Sequence, residues 1–440
     1  MKLKHLSALF ALSISLASCG ENDALVDALE KDNATPQSEI RSIDEAYEIA
    51  AQSLTWFDSA DSRSSVRLLP SKNEVKVFKS KESRGESSDT LMYVVNFQDE
   101  EGFAIIPANR NMPEILAVTE SGSYDPALDS EVEPFNEYMK NAISVMAKSP
   151  KDLDIDTLRL PFMETCQEQT QIILGEIKPK APYKWGQTGF EGMYCSNKIC
   201  GCSNLAVALC MAYFQYPDKI VLYHHNDSII YPDWADIRKH DATKDVFFGG
   251  KLFGYGDKID LDAHYALGRI CRELGYRSNS TYYDNATGTS VSGTIKTLKG
   301  LGFRISHKVY SLKSEFDELK ANNFVIAYGT RIDDKTGKES GHMWVLDGYK
   351  IVKYIKNVYI REKDPNRVYP VEPEWELVRT ETETGYYTHH NWGWKGECNG
   401  YFYSSSSWMP GEGVEYDNTD ISNSNSYNYN IGNGLLIINK

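Results

Sequence analysis

The sequence predicts an α+β protein with two folded units joined by a linker. In the N-terminal part, apolar residues recur at helical spacing over residues 42–56, and strand-like runs follow. In the C-terminal part, residues 207–214 form a run that is apolar on every face, typical of a buried helix. Residues 149–180, between these parts, are charged and lack sustained periodicity. With 440 residues, 41% of them hydrophobic, the chain can form more than one buried core.

The first residues are typical of an export signal. Lys2 and Lys4 precede an apolar stretch, residues 6–17, that is too short to cross a bilayer permanently. This stretch leads into Leu-Ala-Ser and Cys19, which resembles a bacterial lipobox, whose cysteine is lipidated and becomes the first residue of the mature chain. The alternative is an ordinary secretory signal with an incidental cysteine.

These features predict a signal peptide at residues 1–18 and a lipidated polar tether at residues 19–40. Cys19 is then the only membrane attachment, and it places the protein at the outer membrane or the cell surface. Proteolytic processing could release the protein from that anchor. No later segment approaches the roughly 18 apolar residues that a transmembrane helix needs.

The first folded unit is expected at residues 41–148. Its opening helix has Ser42 as a possible cap and Glu45 three residues on, the pattern of a capping box. The further elements expected here are hairpin strands at 92–97 and 102–107, a strand at 115–118 and a helix at 134–147. The linker at 149–180 is the expected place of an activating cleavage, because a protease can reach it without unfolding either unit.

The second unit, residues 181–440, is large enough for a catalytic domain. Its helices are expected near 264–274 and 292–300, and its strands near 324–327, 343–346, 358–360, 385–389 and 435–438. The stretch before the last strand, residues 418–433, is rich in Ser, Asn and Tyr.

Cys202 is the candidate nucleophile. It follows Gly201 and opens the buried helix that stops before Pro217. A helix N-terminus carries partial positive charge and unpaired N–H groups, so it favours a thiolate and can stabilise an oxyanion. The alternative is a small buried core residue, which is common for cysteine.

His342 and Asn391 are the candidate partners of Cys202. His342 follows Cys202 by about 140 residues, an order and interval typical of cysteine peptidases with an Asn in support. His342 would take the thiol proton and return it to the leaving amine. His389 and His390 are rival bases, but they lie beside the aromatic cluster that Asn391 opens.

Asn391 would accept a hydrogen bond from the imidazole and hold its tautomer, while Trp392 would shield that bond from water. An ordinary turn residue is the alternative for Asn391.

The sequence resembles the streptopain family of papain-like cysteine peptidases over most of residues 41–402. The residues that carry the resemblance are Trp185-Gly186-Gln187 with Cys195, Gly201-Cys202, Phe214-Gln215-Tyr216-Pro217, Gly341-His342 with Val345, Asp347 and Gly348, and Asn391-Trp392-Gly393-Trp394 with Gly400-Tyr401-Phe402. Residues 102–125 resemble part of the family's inhibitory propeptide. The resemblance implies a papain-like catalytic domain preceded by a small α+β propeptide domain.

The resemblance also implies further site residues. Gln187 is the candidate side-chain donor of the oxyanion hole, with a surface glutamine as the alternative. Ser290 and Gly341 are candidate substrate contacts, although the family's substrate loop is matched only loosely by residues 286–290. The family usually has Val-Ala after the Gly-Cys pair, and Ser203 begins a different pair here, which puts substrate preference in doubt.

The remaining cysteines leave their pairing open. Six cysteines remain after Cys19 and Cys202, and Cys195 with Cys200 is the pair that could be bridged. Cys210, inside the apolar helix, is expected to be a buried free thiol. Because no Cys or His set with zinc spacing completes a site, we expect no metal and no cofactor.

The sequence therefore predicts an exported, monomeric cysteine endopeptidase made as a zymogen. Its expected partners are protein or peptide substrates and its own propeptide as inhibitor. The formal net charge of −15 argues against nucleic acid or an anionic membrane surface as the main partner. Three alternatives remain: a papain-fold acyltransferase similar to transglutaminases, an inactive surface-binding lipoprotein, and an inhibitor of a partner protease.

Overall fold

The structure is a computed structural model. It describes residues 40–57, 67–79, 90–110, 112–128, 130–148, 163–248, 251–254, 260–332, 339–362, 369, 371, 373–404 and 431–440. The expected signal peptide, the lipobox and nearly all of the tether lie outside the described residues, as do residues 405–430 of the tail.

The described residues form α-helices and β-strands in both parts of the chain, so the expected α+β class is confirmed. The helices are α1 Ile43–Phe57, α2 Glu133–Lys148, α3 Cys202–Phe214, α4 Trp234–Ile237, α5 Leu261–Arg277, α6 Val291–Gly300 and α7 Leu312–Lys320. The strands are β1 Lys76–Lys79, β2 Thr90–Asn96, β3 Phe103–Pro107, β4 Ala117–Thr119, β5 Met163–Ile177, β6 Ile220–Leu222, β7 Ser228–Ile230, β8 Asp245–Phe248, β9 Lys251–Gly254, β10 Thr281–Tyr282, β11 Thr287–Gly288, β12 Arg304–Val309, β13 Phe324–Ile332, β14 Glu339–Glu362, β15 Glu376–Asn391, β16 Gly400–Tyr403 and β17 Ile431–Asn439.

The chain divides into two compact units, but not at the boundary that the sequence predicts. The larger unit combines Glu39–Lys151, Glu176–Lys350 and Tyr386–Lys440, so the expected propeptide and most of the expected catalytic domain belong to one unit. The described part of the smaller unit comes from Asp152–Gly175 and Ile351–Gly385.

The smaller unit contains part of the expected linker, residues 149–180. Residues 149–162 of that segment lie outside the described residues, and strand β5 lies in the rest of it and pairs with β14. Within this unit the Tyr359 hydroxyl donates to Glu168 at 2.9 Å, and the Arg361 guanidinium lies over the ring of Trp375. Because a strand is stabilised by its partner across the sheet, a charged segment with weak local periodicity can still be a strand.

A long sheet runs through the larger unit in the order β1-β2-β3-β4-β16-β15-β14-β13-β17-β12. The hairpin expected near the N-terminus is confirmed, with Asn96 opposite Phe103 and Met92 opposite Pro107. Strand β4 then pairs antiparallel with β16 from the C-terminal part of the chain. The two parts of the chain therefore share one continuous sheet.

The capping box expected at α1 is also confirmed. The backbone N–H of Ser42 donates to Glu45 Oε2 at 2.7 Å, and the N–H of Glu45 donates to Ser42 Oγ at 3.2 Å. These two bonds satisfy N–H groups that have no partner within the helix.

Helix α3 lies in the core of the larger unit. It packs against α5 and α6, and side chains of β13, β14 and β17 belong to the same apolar cluster. Its apolar residues face every direction, as a helix surrounded by protein requires. The helix that begins at Cys202 is thereby packed into the apolar core of the larger unit.

Several sheet and helix elements differ from the sequence prediction. The runs expected as separate strands at 343–346 and 358–360 belong to the single strand β14. Strand β12 and helix α7 were not predicted from the pattern. β12 is mostly exposed and lies at the sheet edge beside β17, so it has no alternation of apolar and polar residues to detect. Among the described residues, no helix is both long enough and apolar enough to cross a membrane.

Candidate active site

The candidate nucleophile is the first residue of α3. Gly201, the residue before it, has φ 89°, a conformation that glycine adopts without a steric penalty. A Cβ at position 201 would also lie 3.0 Å from Thr287. The α-helical bonding begins at once, because Leu205 N–H donates to the Gly201 carbonyl at 3.0 Å. This backbone turn leaves Cys202 partly exposed at the mouth of a buried helix.

Two opposing effects act on the Cys202 thiol. Burial raises its pKa, and backbone N–H groups, that of Met343 on β14 foremost, lower it by a smaller amount. The net pKa lies above the ordinary value, which differs from the thiolate expected at a helix N-terminus. Desolvation of the charged form therefore outweighs the hydrogen bonds to the sulfur.

His342 lies on β14 directly before Met343. Its Nε2 is 3.2 Å from the carbonyl oxygen of Trp392. Its ring stacks on Trp344, with the ring centres 6.0 Å apart and the planes 6° from parallel. Burial lowers the pKa of His342 to about 3, so the imidazole is neutral near pH 7. Among the described residues, no hydrogen bond joins this imidazole to Cys202 Sγ.

Asn391 is engaged differently from what the sequence predicts. Its Nδ2 donates to the carbonyl oxygens of Ala181 and Tyr183 at 2.9 Å and 3.2 Å, and its Oδ1 accepts from Gly393 N–H at 3.1 Å. The side chain therefore fixes the segment before Trp185 and its own turn. The Trp392 carbonyl is the partner of the imidazole Nε2 in this structure, and the contact expected between Asn391 and the imidazole stays a prediction.

Trp392 is fully buried and fixed by two hydrogen bonds. Its backbone N–H donates to Asn399 Oδ1 at 2.9 Å, and its indole Nε1 donates to the Cys398 carbonyl at 3.0 Å. Its ring contacts Trp344 and Phe402, with centroid distances of 5.8 Å and 5.4 Å. The tryptophan thus holds the imidazole through its backbone, in addition to the shielding expected from its ring.

Gln187 lies close in the fold to the start of α3. Its backbone carbonyl accepts from Cys200 N–H at 2.8 Å, two residues before the candidate nucleophile. Its side chain is partly buried. This bond joins the 185–187 segment to the segment that leads into α3.

The two candidate substrate residues lie at different places. Ser290 caps α6, where its Oγ accepts from Gly293 N–H at 3.1 Å, so this oxygen already has a structural partner. Gly341 is exposed and directly precedes His342 on β14. The residues just before Ser290 are hydrogen-bonded to the residues just before Cys202, because Thr287 Oγ1 donates to the Ile199 carbonyl at 2.7 Å.

The rival histidines have structural partners. His389 Nδ1 lies 2.6 Å from Asp347 Oδ1, and its Nε2 lies 3.5 Å from Glu120. Burial lowers the pKa of His389, but these two carboxylates outweigh it and raise the pKa to about 10. His390 bonds the Thr388 hydroxyl at 2.9 Å, and burial lowers its pKa well below the ordinary value.

The bridge considered between Cys195 and Cys200 is not formed, because both cysteines are free. Cys271 lies near both thiols, and Tyr282 also interacts with Cys195. The expectation for Cys210 is confirmed, since it is buried within α3 and free.

One cluster of possible metal ligands was not predicted from the sequence. Glu191, His240 and Asp245 each offer a ligand atom, and these atoms all lie within 4.8 Å of one another. The expectation of no metal considered only Cys and His spacing. Glu191 is distant in the chain from His240, which follows α4, and from Asp245, which opens β8, so no sequence signal brings the three together.

Comparisons with known proteins agree with the geometry. The sequence model of the peptidase C10 family matches residues 179–402, and that of the Spi protease inhibitor matches residues 36–143. Streptopain from Streptococcus pyogenes is 23% identical over 347 residues, which cover 72% of this chain and 75% of streptopain. The streptopain of serotype M1 is 22% identical over 346 residues, with the same coverage of 72% and 75%.

Among solved structures, a fragment of prointerpain A from Prevotella intermedia is 16% identical with a TM-score of 0.45. The alignment covers 83% of this chain and 98% of that fragment.

Proposed function

The chain belongs to the peptidase C10 family, and from this premise we propose that it is an exported endopeptidase that cleaves proteins through an acyl-enzyme on Cys202. The chain is a cysteine peptidase zymogen with its own inhibitory propeptide. Its fold class is α+β, a papain-like peptidase domain preceded by a small α+β propeptide domain.

One observation carries the catalytic assignment. The backbone N–H of Met343 hydrogen-bonds the sulfur of Cys202, so the nucleophile lies next to the strand residue that follows His342. In the active enzyme the imidazole of His342 pairs with the Cys202 thiol. His342 takes the thiol proton, the sulfur attacks the scissile carbonyl, and the same proton goes to the leaving amine. Water then hydrolyses the thioester and frees the enzyme.

The oxyanion is assigned to two donors. The backbone N–H of Cys202, at the start of α3, points out of the helix and has no partner within it. The side chain of Gln187 is the second donor, since its backbone is bonded to Cys200. Two fixed donors aimed at the developing negative charge stabilise the tetrahedral intermediate.

Propeptide control is supported by a short chain of hydrogen bonds. The N–H of Glu120 donates to the Asn399 carbonyl at 2.8 Å, and the side chain of Asn399 holds the Trp392 backbone. The Trp392 carbonyl in turn bonds the imidazole of His342. These hydrogen bonds therefore connect the propeptide to the general base, His342. Removal of the propeptide frees the loop that positions that base.

Aromatic packing supplies a second connection. Phe135 and Tyr138 of α2 pack on Phe402 with ring centres 6.2 Å and 4.9 Å away, and Phe402 packs on Trp392. We assign the latency of the precursor to these two connections together.

Export and anchoring through Cys19 remain part of the proposal, on the strength of the N-terminal sequence alone. Ser290 and Gly341 are retained as candidate substrate contacts, with Gly341 the better placed because it is exposed beside His342.

The decisive experiment compares full-length protein with its Cys202→Ala variant. Intact mass, hydrolysis of a protein substrate and labelling by a thiol-directed inhibitor are measured, with Cys210→Ala as the control from the same helix. We expect self-processing, hydrolysis and labelling in the parent and the control, and none in Cys202→Ala. Cross-linked products instead of cleaved peptides would identify an acyltransferase, and undiminished labelling of Cys202→Ala would place the reactive thiol elsewhere.

A further inference from the structure

We propose that Glu191, His240 and Asp245 form a structural binding site for a divalent transition-metal ion such as Zn²⁺. Their three ligand atoms lie within 4.8 Å of one another, in a part of the larger unit that the proposed catalytic steps do not use. An imidazole nitrogen with two carboxylate oxygens is a donor set that zinc accepts, with water completing the coordination.

Burial and unsatisfied oxygens point to a bound cation. Glu191 is fully buried, and its Oε2 has no hydrogen-bond partner among the described residues. Oδ1 of Asp245 is also buried without a partner among those residues, whereas its Oδ2 accepts from Phe190 N–H at 3.2 Å. A buried carboxylate oxygen without a partner destabilises a fold, and a metal ion would remove that penalty at both oxygens together.

The distances suit a small metal ion. His240 Nε2 lies 3.3 Å from Glu191 Oε1. Two ligands about 2.0–2.1 Å from a tetrahedral zinc are separated by about 3.3 Å. Calcium is disfavoured, because it takes about 6–8 oxygen ligands and seldom a nitrogen. The backbone also closes tightly around the cluster, since a Cβ at Gly189 would lie 2.1 Å from Asp245 Oδ2.

The site holds the loop that carries Gln187. Glu191 Oε1 accepts from Gly186 N–H at 3.0 Å, and the indole of Trp185 donates to the His240 carbonyl at 3.2 Å. An ion bound to the cluster would therefore fix the 185–190 loop in place. Metal binding does not depend on the catalytic roles proposed above, so it can be tested in an inactive protein.

The competing explanation is a metal-free cluster in which a protonated His240 neutralises the carboxylates, assisted by the charge of Lys395 near Asp245. This arrangement would require no ion and would gain no stability from one. The two explanations predict different amounts of bound metal and different changes of the melting temperature when metal is added.

The test uses the full-length Cys202→Ala protein, in which the candidate nucleophile cannot bind the metal. After treatment with a chelator it is titrated with Zn²⁺, and bound metal is counted by elemental mass spectrometry while Tm is followed. We expect one Zn²⁺ per chain and a Tm that rises with its concentration. Glu191→Gln and Asp245→Asn keep the backbone contacts at Gly186 and Phe190, and each should weaken Zn²⁺ binding by about 10-fold or more.

Asp241→Asn is the matched control, because Asp241 lies in the same loop, bonds Thr243 and is outside the cluster. It should bind Zn²⁺ as the parent does. If Glu191→Gln does not fold, the Zn²⁺ binding of Asp245→Asn is the deciding measurement. The proposal is overturned if the parent retains no Zn²⁺, if both cluster variants bind it as the parent does, or if Ca²⁺ stabilises the protein and Zn²⁺ does not.

Discussion

The imidazole Nε2 of His342 lies 3.2 Å from the backbone carbonyl oxygen of Trp392. A backbone carbonyl accepts a hydrogen bond as well as an asparagine amide does, and it cannot be removed by substituting its own side chain. In this structure it performs the orienting role expected for Asn391, while Asn391 anchors the carbonyls of Ala181 and Tyr183. The following expectations depend on that division of roles.

His342→Ala in the full-length protein should abolish self-processing and hydrolysis, with a loss of about 10³-fold or more, because the thiol loses its base. Substrate hydrolysis and intact mass are measured, with the exposed His225→Ala as control. An active His342→Ala protein would transfer the role of base to another histidine.

Asn391→Ala should lower both stability and turnover. Loss of the amide leaves two carbonyls without their donor and should cost about 1–3 kcal/mol in the free energy of unfolding. We expect kcat to fall by about 10- to 10³-fold, because the turn that carries Trp392 loosens. Urea unfolding and kcat are measured together. A fall in kcat with unchanged stability would instead indicate direct contact of Asn391 with the imidazole in the active enzyme.

The precursor should lose stability in acid through His342. The folded pKa of about 3 lies below the ordinary 6.5, so the unfolded chain binds more protons between these values. Stability contributed by this group is present above about pH 6.5 and falls with decreasing pH towards 3, by at most about 1.4 kcal/mol per pH unit.

Urea unfolding of the Cys202→Ala precursor at pH 7, 5 and 4 measures this effect, and adding His342→Gln to that protein should flatten the dependence. Equal pH slopes with and without His342→Gln would show that other groups cause the acid sensitivity.

Gly400→Ala should weaken propeptide inhibition. A Cβ at position 400 would lie 2.4 Å from the Val118 carbonyl on the neighbouring propeptide strand. Overpacking of about 1–3 kcal/mol should raise the activity of the uncut precursor by about 5- to 150-fold. Peptidase activity and intact mass are measured on the same sample, so that the activity is assigned to the uncut precursor. Gly300→Ala, which meets nothing within 4 Å, is the control, and equal latency in both variants would contradict the proposed route of inhibition.

Cys19→Ser should release the protein from the membrane fraction, because the lipid on Cys19 is the only anchor that the sequence predicts. Membranes washed with high salt are compared by immunoblotting with those from the parent strain. A variant that stays with the membranes would require another mode of attachment.

The parts of the site that the sequence predicts depend on local pattern. Cys202 at the start of an apolar run predicted the start of α3, and the 42–45 pattern predicted the cap of α1, because helix ends and buried helices leave their signature within a few residues. The hairpin of β2 and β3 was predictable for the same reason. Family resemblance added the order of Cys202, His342 and the aromatic block.

The rest was decided by contacts between residues far apart in the chain. Strand β5 is stabilised by its pairing with β14, and Cys195 and Cys200 are both free although Cys271 lies near each of them.

By itself, the sequence determined which side chains can react and where helices begin, because chemistry and capping are local properties. Only the tertiary structure decided that the Trp392 carbonyl contacts His342, that burial raises the pKa of the Cys202 thiol, and that Glu191 meets His240. Desolvation and long-range pairing depend on what the whole fold packs around a group, and no interval in the sequence encodes that.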